Sequence, residues 1–336
     1  MQDPLGRAIT YLRLSVTDRC DFRCKYCMAE EMTFLPKREV LSLEEMARLS
    51  QAFIELGVRK IRLSGGEPLV RKGIMTLVDA LGAHVRSGEG ESGAPGLNEL
   101  TLTTNASQLS RFAAPLYAAG VRRLNVSIDS LDRHKFSMIT RGGDLDQVLT
   151  GVEAAKQAGL KIKINTVALK GFNEAEMDTF VAWCGAEGFD LTLIEVMPMG
   201  DLGNEQRTDQ FLPLTEVRAR LAQRWTLGAS EHRTGGPSRY VEVGETGQHI
   251  GFISPLTQNF CDGCNRVRVT CTGRLVLCLG HEEGVDLREI LRRAEGLEPV
   301  KTAIVQALGL KPQRHDFQIA EGAAPAVARH MSVTGG

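Results

Sequence analysis

The sequence predicts an α/β fold with a parallel sheet. Through the first two thirds of the 336 residues, helical patterns end at a glycine and a strand-like run follows at once. A glycine in the left-handed conformation ends a helix and lets the chain turn back. With a first strand at Tyr11–Ser15, the pattern comprises six strand–helix units. Because a closed barrel of this kind needs eight units, the sequence predicts an incomplete barrel or a doubly wound sheet.

The predicted helices and strands alternate regularly. The helix Leu43–Leu56 is the clearest, because Ser42 and Glu45 form a capping box and its apolar residues keep helical spacing. Further helices are predicted at Ile74–Val85, Leu109–Ala119, Leu145–Ala158 and Glu174–Glu187. The strands after the first are predicted at 58–64, 100–104, 121–127, 160–165 and 189–195.

The repeat ends near residue 228, where a passage rich in glycine and polar residues begins. We therefore place a domain boundary near residue 230, with residues 1–230 as the barrel and residues 231–336 as a C-terminal module. In the second part, Val267–Cys271 and Leu275–Leu279 are predicted to pair as a hairpin, and Leu287–Leu297 to form a helix. The run Ser87–Glu99, rich in glycine and serine, is predicted to be a surface loop.

The composition is that of an ordinary globular protein, with 43% hydrophobic and 24% charged residues. Because the net charge is −1, no global field favours nucleic acid or a membrane surface, and we expect neither as a partner. The N-terminus lacks the apolar stretch of a signal peptide, which predicts a cytoplasmic protein. In a reducing compartment, the eight cysteines favour metal ligands or thiols over disulfides.

Three cysteines lie within eight residues directly after the first strand: Cys20, Cys24 and Cys27. Three thiolates without a nearby fourth fit a [4Fe–4S] cluster that leaves one iron open to a substrate or cofactor. A zinc site, which usually takes four protein ligands, and a redox pair of Cys24 and Cys27 remain alternatives. Tyr26 supplies a ring beside this site that could cover a planar base.

A second group of three cysteines, Cys261, Cys264 and Cys278, lies near the C-terminus. The predicted hairpin would return Cys278 towards the other two. Cys271 lies inside the longer gap, so a zinc ribbon with four cysteine ligands competes with a second iron–sulfur cluster. Spacing alone leaves both readings open.

Polar residues recur near the carboxyl end of each of the six strands, two residues apart and therefore on one face. Ligands bind at this end of a parallel barrel, so the polar faces predict a ligand-holding mouth. Arg13, Arg62 and Lys163 place three cations there, which suits a polyphosphate or polycarboxylate. The six pairs are Arg13 and Ser15, Arg62 and Ser64, Thr103 and Asn105, Asn125 and Ser127, Lys163 and Asn165, and Glu195 and Met197.

Two of these motifs together resemble the radical S-adenosylmethionine (SAM) superfamily. One is the first cysteine loop, with an aromatic residue before its third cysteine; the other is Ser64-Gly65-Gly66-Glu67-Pro68 after the second strand. In that superfamily the Gly-Gly-Glu-Pro segment meets the methionyl amino group of SAM. The resemblance implies reductive cleavage of SAM to methionine and a 5′-deoxyadenosyl radical, for which the protein supplies positioning and excludes water.

The second cysteine group narrows the resemblance to the GTP 3′,8-cyclase family of molybdenum cofactor biosynthesis. Its sequence Cys-Asp-Gly-Cys-Asn-Arg-Val-Arg-Val-Thr, followed by Gly-Arg-Leu-Val-Leu-Cys-Leu-Gly, is similar to that family. The resemblance implies an α/β fold with an incomplete (β/α)6 TIM-like barrel and a C-terminal iron–sulfur module. Further matching segments, in the expected order, are 103–105, 126–131, 163–165, 194–198 and the terminal Gly335-Gly336.

The family resemblance implies a role for each matching residue. It implies a first [4Fe–4S] cluster on Cys20, Cys24 and Cys27. It implies a second, whose open iron contacts guanine, on Cys261, Cys264 and Cys278. It implies SAM contacts from Tyr26, Gly66, Ser127 and Met197. It implies GTP contacts from Arg13, Arg62, Thr103, Lys163, Arg266, Val267 and Arg268. Insertion into the active-site pocket is implied for the catalytic tail residues Gly335 and Gly336.

The implied reaction removes the ribose 3′-hydrogen of GTP and joins C3′ to C8 of guanine, giving (8S)-3′,8-cyclo-7,8-dihydroguanosine 5′-triphosphate. The implied partners are an external electron donor, a downstream enzyme of the molybdenum cofactor pathway and a second copy in a homodimer. A radical SAM enzyme acting on a peptide or RNA is one alternative, against which the segment Arg266-Val267-Arg268 argues. A non-catalytic zinc module is another, but it has no use for Gly65-Gly66-Glu67-Pro68.

Overall fold

Six parallel strands follow one another in chain order, each hydrogen-bonded to the next. The computed structural model describes residues 1–86, 95–200, 209–258, 260–315, 317 and 327–335. Residues 87–94 of the predicted surface loop and the terminal Gly336 lie outside this range. Within the described ranges, no helix is long and apolar enough to cross a membrane.

The six predicted strands are confirmed, and each begins within two residues of its predicted start. Their order never reverses along the sheet, which selects the incomplete barrel over the doubly wound alternative. The strands are β1 (Tyr11–Ser15), β2 (Lys60–Ser64), β3 (Glu99–Thr104), β4 (Arg123–Ser127), β5 (Lys161–Ala168) and β6 (Asp190–Glu195).

The predicted helices also form, and the capping box is present: Ser42 Oγ accepts from Glu45 N at 3.1 Å while Ser42 N donates to the Glu45 carboxylate at 2.7 Å. Helix α4 after β4 and helix α7 were not predicted. Asp132 caps α4 by accepting from Lys135 N at 2.8 Å. The helices of this part are α1 (Leu43–Glu55), α2 (Ile74–Gly82), α3 (Leu109–Ala118), α4 (Arg133–Thr140), α5 (Leu145–Gln157), α6 (Met177–Glu187) and α7 (Leu214–Leu221).

Strands from the C-terminal third extend the same sheet at both edges. They are β7 (Leu227–Ala229), β8 (Arg239–Val243), β9 (His249–Ile253), β10 (Arg266–Val269), β11 (Arg274–Val276) and β12 (Gly284–Asp286). Strand β9 pairs in parallel with β6, and β10 pairs in parallel with β1. The predicted hairpin is confirmed as the antiparallel pair β10–β11, with Arg268 opposite Val276.

The helix predicted at Leu287–Leu297 is shorter than expected. Helix α8 (Arg288–Arg293) ends at Ala294, and a second helix, α9 (Glu298–Leu308), follows. Gly296, with φ +82°, turns the chain between them, and Pro299 lies in the first turn of α9, where its missing N–H costs nothing. A short helix α10 (Met331–Thr334) precedes Gly335.

The apolar face of the sheet packs against the helices, as in Leu12 and Leu14 of β1 and Ile61 and Leu63 of β2, all fully buried. The alternate face of the same strands carries polar side chains towards the barrel interior. This alternation confirms the period-two reading of the strand ends.

Candidate active site

A cavity opens at the carboxyl ends of the central strands, where the sequence predicts a ligand-holding mouth. Both cysteine groups, several strand ends and the β10–β11 hairpin contribute to its wall. The residues with a predicted role that line it are Cys20, Cys24, Tyr26, Cys27, Arg13, Arg62, Gly66, Thr103, Ser127, Met197, Cys261, Cys264, Arg266, Val267, Arg268 and Cys278.

The first cysteine loop is held against the barrel by hydrogen bonds. Asp21 accepts from Asn105 Nδ2 at 2.7 Å and from Ser107 Oγ at 2.5 Å, which fixes the loop to the end of β3. Arg141, in the left-handed conformation at the end of α4, donates to the carbonyls of Arg23 and Met28, both at 3.0 Å. The unpredicted helix α4 therefore supports this loop.

The three thiols of this loop suit a cationic group. Burial raises the pKa of Cys24, and nearby Asp129 and the other two thiols raise it further. Burial also raises the pKa of Cys20. Thiolates crowded together in this way become stable only when a metal or cluster supplies compensating positive charge. The donor set therefore fits a cluster.

The glycines of Gly65-Gly66-Glu67 allow two backbone segments to meet. A Cβ at Gly66 would lie 2.3 Å from the carbonyl oxygen of Arg19, and one at Gly65 would lie 2.4 Å from that of Thr17. Gly66 N donates to Thr17 O at 2.9 Å. The segment thus locks the end of β2 against the start of the cysteine loop, a contact that sequence reasoning did not anticipate.

Glu67 is a buried carboxylate that joins the end of β2 to the end of β3. It accepts from Leu69 N at 2.9 Å, Thr104 Oγ1 at 2.9 Å and Asn105 N at 2.7 Å. Burial raises its pKa to about 8, although these three donors favour the ionised form. The contacts place Glu67 behind the cavity wall as a support for its lining.

Tyr26 is oriented by a second buried carboxylate. Its hydroxyl donates to Asp129 Oδ2 at 2.7 Å, and Asp129 Oδ1 accepts from Val167 N of β5 at 2.8 Å. The ring is therefore fixed between the cysteine loop and the barrel. The matching segment 126–131 contains Asp129 without indicating its role; the signal in the sequence is an acidic residue two positions after a buried strand.

Stability should depend on the protonation of Asp129. Burial raises the pKa of Asp129 from 3.8 to about 6, so the folded protein binds this proton more tightly than the unfolded chain does. The associated stability is present below pH 4 and is lost as the pH rises to about 6, a change of about 3 kcal/mol. We expect Asp129→Asn, which retains a polar partner for Tyr26, to gain stability over the wild type across this pH range. Anaerobic thermal unfolding of the variant and the wild type at several pH values measures this difference in stability.

The matched control is Asp132→Asn. Asp132 is exposed, and its hydrogen bond from Lys135 N lowers its pKa, so its carboxylate is ionised in both states above about pH 5. Between pH 5 and 7 this variant should follow the wild type. Equal pH dependence in Asp129→Asn and the wild type would contradict the prediction.

The second cysteine group faces the same cavity without Cys271. Cys271 is fully buried in the hydrophobic core, and its carbonyl accepts from Leu41 N at 2.8 Å. Burial would raise the pKa of Cys264, but the positive charges of Arg266 and Lys311 outweigh it and lower that pKa. Three thiols, and not four, therefore share this side of the cavity, which disfavours the zinc ribbon. All eight cysteines are among the described residues, and none forms a disulfide.

Three arginines lie side by side on adjacent strands. Arg13 of β1 is in register with Arg268 of β10 on one side and with Arg62 of β2 on the other, and each is at least nine-tenths buried. Burial lowers the pKa of Arg13 well below its usual value, and repulsion from Arg268 and Arg62 lowers it further. Burial and neighbouring cations likewise lower the pKa of Arg268 to about 9. Cations buried together require an anion.

Buried polar atoms without partners mark the same wall. Within the described residues, Arg62 Nε, Ser64 Oγ, Thr103 Oγ1 and Asn165 Oδ1 are buried and have no hydrogen-bond partner. Such atoms are costly unless a ligand or water satisfies them. The wall is therefore prepared for a polar, anionic ligand.

Lys163 is buried and is not among the residues that line the cavity. Its Nζ donates to Tyr240 Oη at 3.2 Å, and Tyr240 is also within 3.0 Å of Thr234 Oγ1. Burial lowers the pKa of Lys163 well below its usual value, and the charge of Arg62 acts in the same direction. Lys163 thus adds a further buried cation near Arg62.

The described end of the chain lies inside the site. Arg268 Nη1 donates to Gly335 O at 2.5 Å and to Thr334 O at 3.4 Å. A Cβ at Gly335, whose φ is +75°, would lie 1.9 Å from Ser64 Oγ and 2.8 Å from Ser64 Cβ. Only glycine fits this position without moving its neighbours.

Comparisons with known proteins agree with this arrangement. The family model of the Radical SAM superfamily matches residues 14–184, and the Molybdenum Cofactor Synthesis C model matches residues 189–317. Streptococcus suis SuiB bound to S-adenosylmethionine shares the fold, with a TM-score of 0.58 and 15% identity over 97% of this chain and 77% of that chain. Fold and site together define an enzyme of the radical SAM class.

Closer relatives identify the family. Curated GTP 3′,8-cyclases of Brucella canis and Mesorhizobium japonicum are each 58% identical over 337 residues, covering 100% of this chain and 96% and 99% of those proteins. The chain belongs to the GTP 3′,8-cyclase family, which confirms the resemblance found in the sequence. It is a radical SAM cyclase of molybdenum cofactor synthesis that acts on GTP and uses SAM and two [4Fe–4S] clusters.

Proposed function

We propose that the cavity is where this chain carries out GTP cyclisation, with SAM on the side of the first cysteine loop and GTP on the side of the second. The observation that carries this assignment is that both cysteine groups and the row Arg268–Arg13–Arg62 face one cavity. Two reactants held in one enclosed space gain the proximity that a radical reaction requires.

On the SAM side, Cys20, Cys24 and Cys27 would hold the first cluster. Tyr26, Gly66, Ser127 and Met197 would hold SAM, and all four line the cavity. Bound together, cluster and SAM supply the radical that removes the ribose 3′-hydrogen of GTP. The contribution of this wall is rigidity: Asp129 fixes the Tyr26 ring, and Glu67 fixes the strand ends behind Gly66.

On the GTP side, Cys261, Cys264 and Cys278 would hold the second cluster, beside which the base would lie. The segment Arg266-Val267-Arg268 would contact the nucleotide from β10, and Arg13, Arg62 and Thr103 would contact it from the barrel. Lys163, a buried cation whose charge interacts with that of Arg62, would add to the positive region that suits a triphosphate. Buried cations bind phosphate strongly because little water competes with them.

The tail would complete this wall. Gly335 lies between Arg268 and Ser64, so the terminal glycines would contact the nucleotide and help to exclude water from the reacting ribose. Keeping solvent away protects a reactive intermediate from side reactions.

An iron count after anaerobic reconstitution tests the two-cluster assignment. We expect about eight iron atoms per chain for the wild type, since each [4Fe–4S] cluster holds four. Cys278→Ser should reduce the count to about four, whereas Cys271→Ser, which alters only a core residue, should retain about eight. A wild-type count near four, stoichiometric zinc, or equal loss in both variants would contradict the assignment.

We further propose the division into residues 1–230, which generate the radical, and residues 231–336, which present the substrate. The proposed partners are an external one-electron donor, a downstream enzyme of the molybdenum cofactor pathway and a second copy in a homodimer. A cytoplasmic location is proposed with them. Thiols that form no disulfide support this location, because they persist in a reducing compartment.

A further inference from the structure

A buried lysine joins the two segments that carry the second cysteine group. Lys311 is only 6% exposed, and its Nζ donates to Arg266 O at 3.0 Å and to Leu277 O at 2.5 Å. Arg266 follows Cys264 by two residues, and Leu277 directly precedes Cys278. One ammonium group thus spans the start of β10 and the end of the β10–β11 hairpin.

The third cysteine is tied to the same segment by a different cation. Arg7 Nη1 donates to Cys261 O at 2.9 Å and to Gln313 O at 2.8 Å, while Arg7 Nη2 donates to Pro312 O at 2.8 Å. Residues 311–313 are therefore linked to all three ligand-bearing segments, to two of them directly through Lys311 and to Cys261 through Arg7.

The two cations differ in how their charge is balanced. Asp3 neutralises Arg7 through a contact of 2.5 Å between Oδ2 and Nε. Within the described ranges, the hydrogen-bond acceptors of the Lys311 ammonium are carbonyl oxygens and no ion pair joins it to a carboxylate. Its ammonium lies against carbonyls two residues after Cys264 and one residue before Cys278. The positive charge of Lys311 is therefore directed at the ligand group.

We propose that Lys311 is a positioning residue for the second cluster: it fixes the spacing of the ligand-bearing segments, and its charge raises the reduction potential of the cluster. This inference rests on the proposed function, because it takes Cys261, Cys264 and Cys278 as the ligands. Groups behind the direct ligands orient them and tune the metal. A nearby positive charge stabilises the more negative, reduced form of a cluster and so raises its potential.

Three substitutions separate charge from hydrogen bonding. Lys311→Met removes both, Lys311→Gln keeps an N–H donor without charge, and Lys311→Arg keeps both. Lys72→Met, at an exposed position in the connection between β2 and α2, is the control. Iron is counted in each variant. The midpoint potential is read by a redox titration in a background with Cys20, Cys24 and Cys27 replaced by serine, so that only the second cluster contributes.

We expect Lys311→Gln to retain the second cluster with a more negative potential, and Lys311→Arg to keep wild-type iron and potential. Lys311→Met should lose up to about four iron atoms, which is the content of one cluster. Any second cluster that this variant retains should show the same negative shift in midpoint potential. Wild-type iron content and potential in Lys311→Met, or equal losses in Lys311→Met and Lys311→Arg, would overturn the proposal. A wild-type protein with about four iron atoms would instead contradict the proposed function.

Discussion

Replacing Gly335 by alanine is expected to slow GTP cyclisation by about 100-fold or more while leaving the protein folded. The added Cβ would lie 2.8 Å from Ser64 Cβ, a distance that rotation of the serine hydroxyl cannot relieve. The tail must therefore move away from Arg268 and the cavity wall, and displacements of about 1 Å near reacting groups cost roughly 100-fold in rate. Measuring GTP turnover and the melting temperature together separates a loss of catalysis from a loss of stability.

Gly296→Ala is the matched control for backbone strain. Gly296 has φ +82°, close to the +75° of Gly335, but a Cβ there meets nothing within 4 Å. Gly296→Ala should lose about 1 kcal/mol of stability from the positive φ alone, and so measures the backbone strain without the contact to Ser64. Only Gly335→Ala should lose cyclisation. Full activity in Gly335→Ala, and in a variant lacking Gly335 and Gly336, would remove the tail from the mechanism.

Arg268→Ala should lower kcat/KM for GTP by about 100-fold or more, because losing one partner of a buried charge contact costs 2–5 kcal/mol. Cleavage of SAM without cyclisation should persist, since the proposed SAM contacts lie on other strands. Repulsion from Arg268 is the largest charge effect on Arg13, so the variant should melt no earlier than the wild type. Product formation and 5′-deoxyadenosine formation are measured in the same reactions.

Two further variants show whether the effect of Arg268→Ala comes from its charge, its hydrogen-bonding geometry or its position. Arg268→Lys keeps the charge but loses the planar two-pronged donor, and should fall between alanine and wild type. Arg274→Ala removes an exposed arginine from the neighbouring strand β11 and should behave as wild type. Parallel loss of SAM cleavage and GTP turnover in Arg268→Ala would show that Arg268 belongs to the SAM side.

Four of the six barrel strands were predictable because two local signals coincide at each of these four. A glycine ends the preceding helix, and apolar residues then alternate with polar ones, as when Gly57 is followed by Ile61, Arg62 and Leu63. Helix α4 lacks such a signal, since only Phe136, Ile139 and Thr140 of its eight residues are buried. Its position is decided by the cysteine loop that packs on it, a tertiary contact that no local pattern encodes.

The sheet edges could not be predicted for a related reason. The pairing of β10 with β1 joins residues more than 250 positions apart, and neither strand's own sequence specifies its partner. The short strands β8 and β9 were not predicted, because they lie in a passage rich in polar residues and glycine.

Within the site, the cysteines and arginines could be predicted from residue type and spacing. The groups that orient them could not be predicted in this way. Asp129 reaches Tyr26 across 103 positions, and Arg7 reaches Cys261 across 254, through hydrogen bonds that only the folded chain creates. A lone buried lysine such as Lys311 gives no sequence signal at all.

The order in which the edge strands are synthesised also determines when the site can be completed. Residues 11–15 leave the ribosome early, yet their partner β10 is synthesised more than 250 residues later. Until then, one edge of β1 is unpaired. One edge of β6 is likewise unpaired until β9 has been synthesised. Such edges are prone to intermolecular pairing, and distant contacts form slowly. The cavity wall is therefore incomplete until β10 and the second cysteine group, more than 250 residues after β1, have been synthesised.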